Sequence, residues 1–116
     1  KKLKFEDLIN SANGSPGQLL KNIELWSGLS DEITSKLDFP IKNSVQILEL
    51  SKLISEELDI YKQICLVNLI QIIWWRKTKN IELIKKLENL KSYLKKNIQP
   101  RLAWEITFLK ISMEDI

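Results

Sequence analysis

The chain has 116 residues, enough for one domain, and its three glycines and three prolines give little punctuation for tight turns, which favours long helices. It has no histidine and a single cysteine, Cys65, which excludes an intrachain disulfide, a cysteine-based metal site and the commonest general base. With 18 Lys and Arg interleaved with 15 Asp and Glu, the net charge of +3 permits an acidic or nucleic-acid partner without requiring one.

The chain opens Lys-Lys-Leu-Lys with no Met, which suggests a fragment or a processed start. That start leads into Phe-Glu-Asp-Leu rather than an apolar segment, so no signal peptide is read and a cytoplasmic location is expected. Residues 5–12 read as the end of a short helix closed by Asn13-Gly14. Ser15 then has the right side chain for an N-cap, Pro16 suits the first helical position, and Gln18 follows at capping-box spacing. The helix that follows carries Leu19, Leu20, Ile23 and Trp26, and Gly28 ends it. Ser30-Asp31-Glu32 starts a short helix with acid in its first turn, and Asp38-Phe39-Pro40 breaks it.

Ser44 is expected to cap the next helix, in which Ile47, Leu50 and Ile54 share a face. Ser55-Glu56-Glu57 reads as a second cap, so a break is placed there and a central helix is drawn from Glu56 to about Lys77. Its heart is residues 64–75, ICLVNLIQIIWW, where only Asn68 and Gln71 are polar. A helix apolar nearly all round must be covered nearly all round. These residues span about 18 Å as a helix, too short for a bilayer core of ~30 Å, so the covering must be protein. Residues 78–80 form a polar turn. Residues 81–96 form an amphipathic helix with Leu83, Leu87, Leu90 and Leu94 as its stripe and Glu82 with Lys86 as an i, i+4 pair. Asn97-Ile98-Gln99 is the next turn, and Pro100 begins a last helix to about Met113. No repeat or low-complexity tract interrupts the pattern. The expectation is an all-α single domain of about six helices.

Trp74-Trp75-Arg76-Lys77 with Lys79, together with the lysines of residues 91–96, could form an independent helical nucleic-acid-binding module: aromatics would stack on bases and cations would meet phosphates. The plainer reading has the tryptophans closing the core and the cations solvated at a helix end. Glu56, Glu57 and Asp59 are ordinary helix-start acids. No P-loop, GxGxxG, HExxH or EF-hand pattern occurs, so no catalytic, cofactor or metal residues are assigned, and no membrane or small-molecule partner is expected. The last helix has two opposed apolar faces: Leu102, Ile106, Leu109 and Met113 on one, Trp104, Phe108 and Ile111 on the other. The expectation is that the first turns to the core. The second, flanked by Arg101, then faces a partner.

Two stretches carry a family resemblance. Residues 12–20, ANGSPGQLL, with Gly14, Ser15, Pro16 and Gly17, resemble a stretch of the bacterial clamp-loader delta-prime subunit of DNA polymerase III, near the end of its ATPase-like part. Residues 99–105, QPRLAWE, with Gln99, Pro100 and Arg101, resemble that family's C-terminal helix, especially in cyanobacterial members. The resemblance implies that residues 1–27 are the tail of the lid subdomain of an AAA+-like module. Residues 28–116 would be a helical collar that packs against other clamp-loader subunits and supports loading of the sliding clamp in DNA replication. DNA would be met only within the assembled complex. In ATP-hydrolysing relatives the position of Gly17 is an arginine that reaches the nucleotide's phosphates; Gly17 cannot do so, which agrees with a non-catalytic member.

If residues 64–75 are the core, Leu69→Ala lowers the stability by about 2–5 kcal/mol in denaturant melts. A loss below ~1 kcal/mol would contradict a central helix at the core.

Overall fold

Helix starts in this chain are held by short polar side chains. Ser15, Ser30, Asn43, Asp59 and Asn80 each stand in extended backbone and accept a hydrogen bond from an N–H of the first turn that follows. The computed structural model describes residues 5–12, 14–37, 41 and 43–114. It contains α1 (Phe5–Ser11), α2 (Pro16–Ser27), α3 (Asp31–Lys36), α4 (Ser44–Glu57), α5 (Ile60–Thr78), α6 (Ile81–Lys95) and α7 (Pro100–Glu114), with no strand among the described residues. The fold is all-α, with seven helices against the expected six or so.

Two caps differ from expectation. Asn43, not Ser44, starts α4: its Oδ1 accepts from the N–H groups of Val45 (2.8 Å) and Gln46 (3.3 Å). The break expected at Ser55-Glu56-Glu57 lies later. Ser55 stays helical and its Oγ donates to the Lys52 carbonyl at 2.9 Å. The chain turns at Leu58, which is extended and buried, and Asp59 accepts from the Lys62 N–H at 2.8 Å to start α5. Burying Leu58 while freeing the Asp59 carboxylate moves the boundary. The expected break at Asp38-Phe39-Pro40 falls outside the described residues.

Helix α5 is the hub. It packs against α1, α2 and α6, while α7 packs against both α4 and α6, and α3 against α4. Leu66, Val67, Leu69, Ile70, Ile73 and Trp74 are buried, as are the four leucines of the α6 stripe. The burial of residues 64–75 is less complete than expected. Cys65, Ile72 and Trp75 are half-buried and Asn68 is exposed, because the edge of α5 between α2 and α6 stays open. Gln71 is buried, and its amide donates to the Ile84 carbonyl (3.2 Å) and to Glu88 (2.8 Å), tying α5 to α6. At the end of α6, Asn97 takes a left-handed φ of 61°. It closes a Schellman turn in which the Ile98 N–H bonds the Tyr93 carbonyl at 3.1 Å.

Helix α7 faces the opposite way from the expectation. Trp104, Phe108 and Ile111 are inside, with Ala103 and Thr107 beside them, while Leu102 is 44 %, Ile106 40 % and Met113 71 % exposed. Two effects favour this facing. The aromatic pair offers the larger apolar area, and the rings pack at 5.3 Å between centroids, with Trp74 a further 6.4 Å from Phe108. A buried indole also needs an acceptor, and Gln63 supplies it: Trp104 Nε1 donates to Gln63 Oε1 at 2.9 Å. Gln63 Nε2 in turn donates to the Leu58 carbonyl at 2.9 Å, the point where α4 ends.

Replacing Gln63 by Leu leaves the indole N–H and the Leu58 carbonyl buried without partners. At roughly 1–3 kcal/mol for each orphaned group, Gln63→Leu is expected to cost about 2–6 kcal/mol in urea melts. Adding Trp104→Phe removes one of the orphans, so the double variant loses less than the sum of the singles, with a coupling of at least ~1 kcal/mol. Additive losses would show that the hydrogen bond does not hold α7.

Candidate interaction surfaces

At the start of α7, Pro100 occupies the first turn, where its missing N–H is not needed. Arg101 Nε meets Glu105 Oε2 at 3.0 Å, one turn on. Gln99 is exposed, and its carbonyl accepts from the Ala103 N–H at 3.0 Å. Ser55, near the end of α4, lines the same hollow as Pro100, Arg101 and Leu102, so α4 and α7 run antiparallel. Val45 (61 % exposed) and Leu48 (43 %) are exposed at the start of α4, the helix that packs on α7. The outward surface is therefore aliphatic: Leu102, Ile106 and Met113, half-buried Leu109, and the two residues of α4.

Of the expected interface residues, only Arg101 reaches the surface. Trp104, Phe108 and Ile111 are core side chains in this chain. The residues available to a partner are those assigned to the core from sequence. Helical periodicity separates the two faces without ranking them. A signal that does rank them is the aromatic pair with small Ala103 and Thr107 beside it, a combination that suits close helix packing.

The Gly14-Ser15-Pro16-Gly17 stretch shapes the turn between α1 and α2. Gly14 has φ +77°, and the Ser15 N–H donates to the Ala12 carbonyl at 2.9 Å. Ser15 Oγ accepts from the Gln18 N–H at 3.2 Å, as expected of the cap. Gly17 lies exposed in the first turn, with nothing within 4 Å of where a Cβ would stand. Asn13 is outside the described residues.

A second face lies along α5 and α6. Trp74 is 4 % exposed, which removes it from any stacking surface; Trp75 is half-buried with Lys79 Nζ 5.4 Å from its ring centroid. A groove of 570 Å³ runs between the two helices, lined by Ile72, Trp75, Ile81 and Ile84 with Arg76 and Lys79. At its far end Lys91 Nζ bridges Glu88 Oε2 (2.7 Å) and Asn68 Oδ1 (2.8 Å). On the other side of α5 a cleft of 640 Å³ separates it from α2 and exposes one side of Tyr61 and Cys65. The hydrogen bond to Cys65 raises the Tyr61 phenol above its ordinary value. Among the described residues, no group of His, Cys, Asp or Glu is placed to hold a metal ion, and no helix is long and apolar enough to cross a membrane.

The Lys91 and Gln71 hydrogen bonds hold the Glu88 carboxyl below its ordinary 4.5. Because they favour the ionised form, their stabilisation is full above that value and is lost as pH falls through the lowered one; exposure of Glu88 keeps it small. In a carboxyl NMR titration, Glu88 is expected to titrate below 4.5, and Lys91→Met to return it toward 4.5. A midpoint unmoved by Lys91→Met would show that the ion pair does not persist in solution.

Residues 1–111 match the family model for the cyanobacterial DNA polymerase III delta prime, C-terminal domain. No curated protein and no solved structure matches. The match covers nearly the whole chain, including both stretches that carry the resemblance and every helix up to the last turn of α7. The chain belongs to the family of cyanobacterial DNA polymerase III delta prime C-terminal domains.

Proposed function

We propose that this domain is a collar: a non-catalytic, subunit-joining part of the clamp loader that supports loading of the sliding clamp. Residues 28–116 form the collar in this reading, and residues 1–27 the tail of the AAA+-like lid subdomain docked on it. The Gly28-Leu29 junction between α2 and α3 is the natural division, and Leu8, Ile23 and Trp26 dock the earlier part on the shared core.

The observation that carries the reading is the outward face of α7. A helix whose inner face is already filled by Trp104, Phe108 and Ile111 still shows Leu102, Ile106 and Met113 to solvent, and α4, which packs on it, shows Val45 and Leu48. Scattered apolar residues are ordinary on a surface, whereas a strip continued across two packed helices marks an interaction site. Membership in a polymerase subunit family supports another subunit of that complex as the partner.

The test is Leu102→Ser with Ile106→Ser in the whole subunit, read by circular dichroism melts and by co-purification with the other clamp-loader subunits. Folding should hold within ~1 kcal/mol, as for surface changes. Binding should fall by about 2 kcal/mol or more, the size of an interface hot spot. Unchanged binding would remove α7 from the interface.

A further inference from the structure

We propose that the groove between α5 and α6 binds an acidic peptide segment of a partner protein, one that carries aliphatic or aromatic anchors beside its carboxylates. The site is separate from the subunit-joining surface, since the exposed strip on α7 and α4 shares no residue with it.

The apolar half of the site lies at the open edge of α5. Ile72 and Trp75 stay half-buried there, and Ile81 and Ile84 from the start of α6 complete the trough. Ile81 is 55 % exposed, a large aliphatic side chain left in water. At 570 Å³ the groove has the size of a ligand pocket, for which about 300–1,000 Å³ is usual.

The charged half gathers at one end. Residues 76–86 hold five cations against one carboxylate, which makes the α5–α6 turn cationic, and Arg76 and Lys79 line the groove. Among the described residues no carboxylate pairs with either. Glu82 faces Lys85 at 3.6 Å. Glu88 lines the groove too, but its carboxylate is engaged by Lys91 at 2.7 Å and by Gln71 at 2.8 Å. The backbone fixes Lys79: it caps α5 with a left-handed φ of 54°, its N–H donates to the Trp75 carbonyl at 2.8 Å, and its Nζ lies 5.4 Å from the Trp75 ring centroid. Glycine is the usual residue in that conformation. A lysine there sets an ammonium over the indole wall of the groove. Cations at a helix C-terminus are ordinary. A cation held over an open apolar trough is matched by a ligand with a carboxylate next to an apolar side chain.

A nucleic-acid strand fits less well. Its phosphates repeat and call for cations along the groove, whereas Arg76 and Lys79 stand at one end and the Glu88–Lys91 ion pair at the other. The floor is mainly isoleucine, and Lys79 covers the one indole, so bases find no open stacking platform.

The test uses the whole subunit and a fluorescein-labelled peptide in which leucines and phenylalanines are interspersed with aspartates and glutamates, read by fluorescence anisotropy. The wild-type subunit is expected to bind it, and to ignore the same peptide with lysine in place of each acid. Arg76→Glu with Lys79→Glu should weaken binding about tenfold or more. Ile81→Ser should weaken it about fivefold or more, with the circular dichroism melt unchanged because the position is exposed. Binding should persist when the subunit is assembled with the other clamp-loader subunits. Equal binding of both peptides, no binding of either, or an affinity unmoved by these substitutions would overturn the proposal. So would displacement of the peptide by an equimolar oligothymidylate, which would give the groove to nucleic acid, or loss of peptide binding on assembly, which would put the groove inside a subunit interface. Leu102→Ser with Ile106→Ser should leave peptide binding intact, so this site and the subunit-joining role fail separately.

Discussion

The side-chain amide of Gln63 decides which way the last helix faces. It accepts from the Trp104 indole and donates to the Leu58 carbonyl, both inside the core. The Leu58 carbonyl lies where α4 ends, so it has no helical partner of its own. The amide therefore links the α4–α5 turn to α7, and all three polar groups are satisfied without water. Turning α7 over would leave the Gln63 amide oxygen without its indole donor and expose two large rings. Packing and hydrogen bonding act in the same direction, and the aliphatic face of α7 is left outside as a result.

That outcome links the interior to the surface. A surface strip of Leu102, Ile106 and Met113 exists because the core has taken the aromatic face. The open edge of α5 has a similar origin. Gln71 draws α6 close on one side and α2 covers the other, while Asn68, Ile72 and Trp75 stay at the seam. Among the described residues, one buried group has no such compensation: Ser51 Oγ is buried in α4 with no hydrogen-bond partner there. Its hydroxyl contributes nothing that offsets its desolvation, and nothing in the packing explains why serine stands there.

Much of the fold was legible because local chemistry and hydrophobic period agree. Ser15 and Ser30 cap the helices expected of them, and the α6 stripe of leucines is buried throughout. The misses fall where two local solutions compete. Asn43 and Ser44 are both competent caps, and the side chain that reaches two first-turn N–H groups is the one that starts α4. Ser55 and Asp59 can both begin a helix, and burial of Leu58 chooses between them. For α7 the wheel gives two apolar faces of similar extent, and the choice depends on Gln63, 41 residues earlier in the chain. A contact of that separation leaves no trace in local periodicity. The aromatic face of α7 was read as the outer one for the same reason, although the helix itself was read correctly.

The most direct test of the account is oxidative footprinting of side chains, with the chain free and then bound to the other clamp-loader subunits. Trp104 and Phe108 should be unreactive in both states, while Leu102, Ile106 and Met113 react in the free chain and are protected in the complex. Reaction at Trp104 in the free chain, with protection on binding, would contradict the account. It would mean that α7 turns its aromatic face outward and that Gln63 does not hold it.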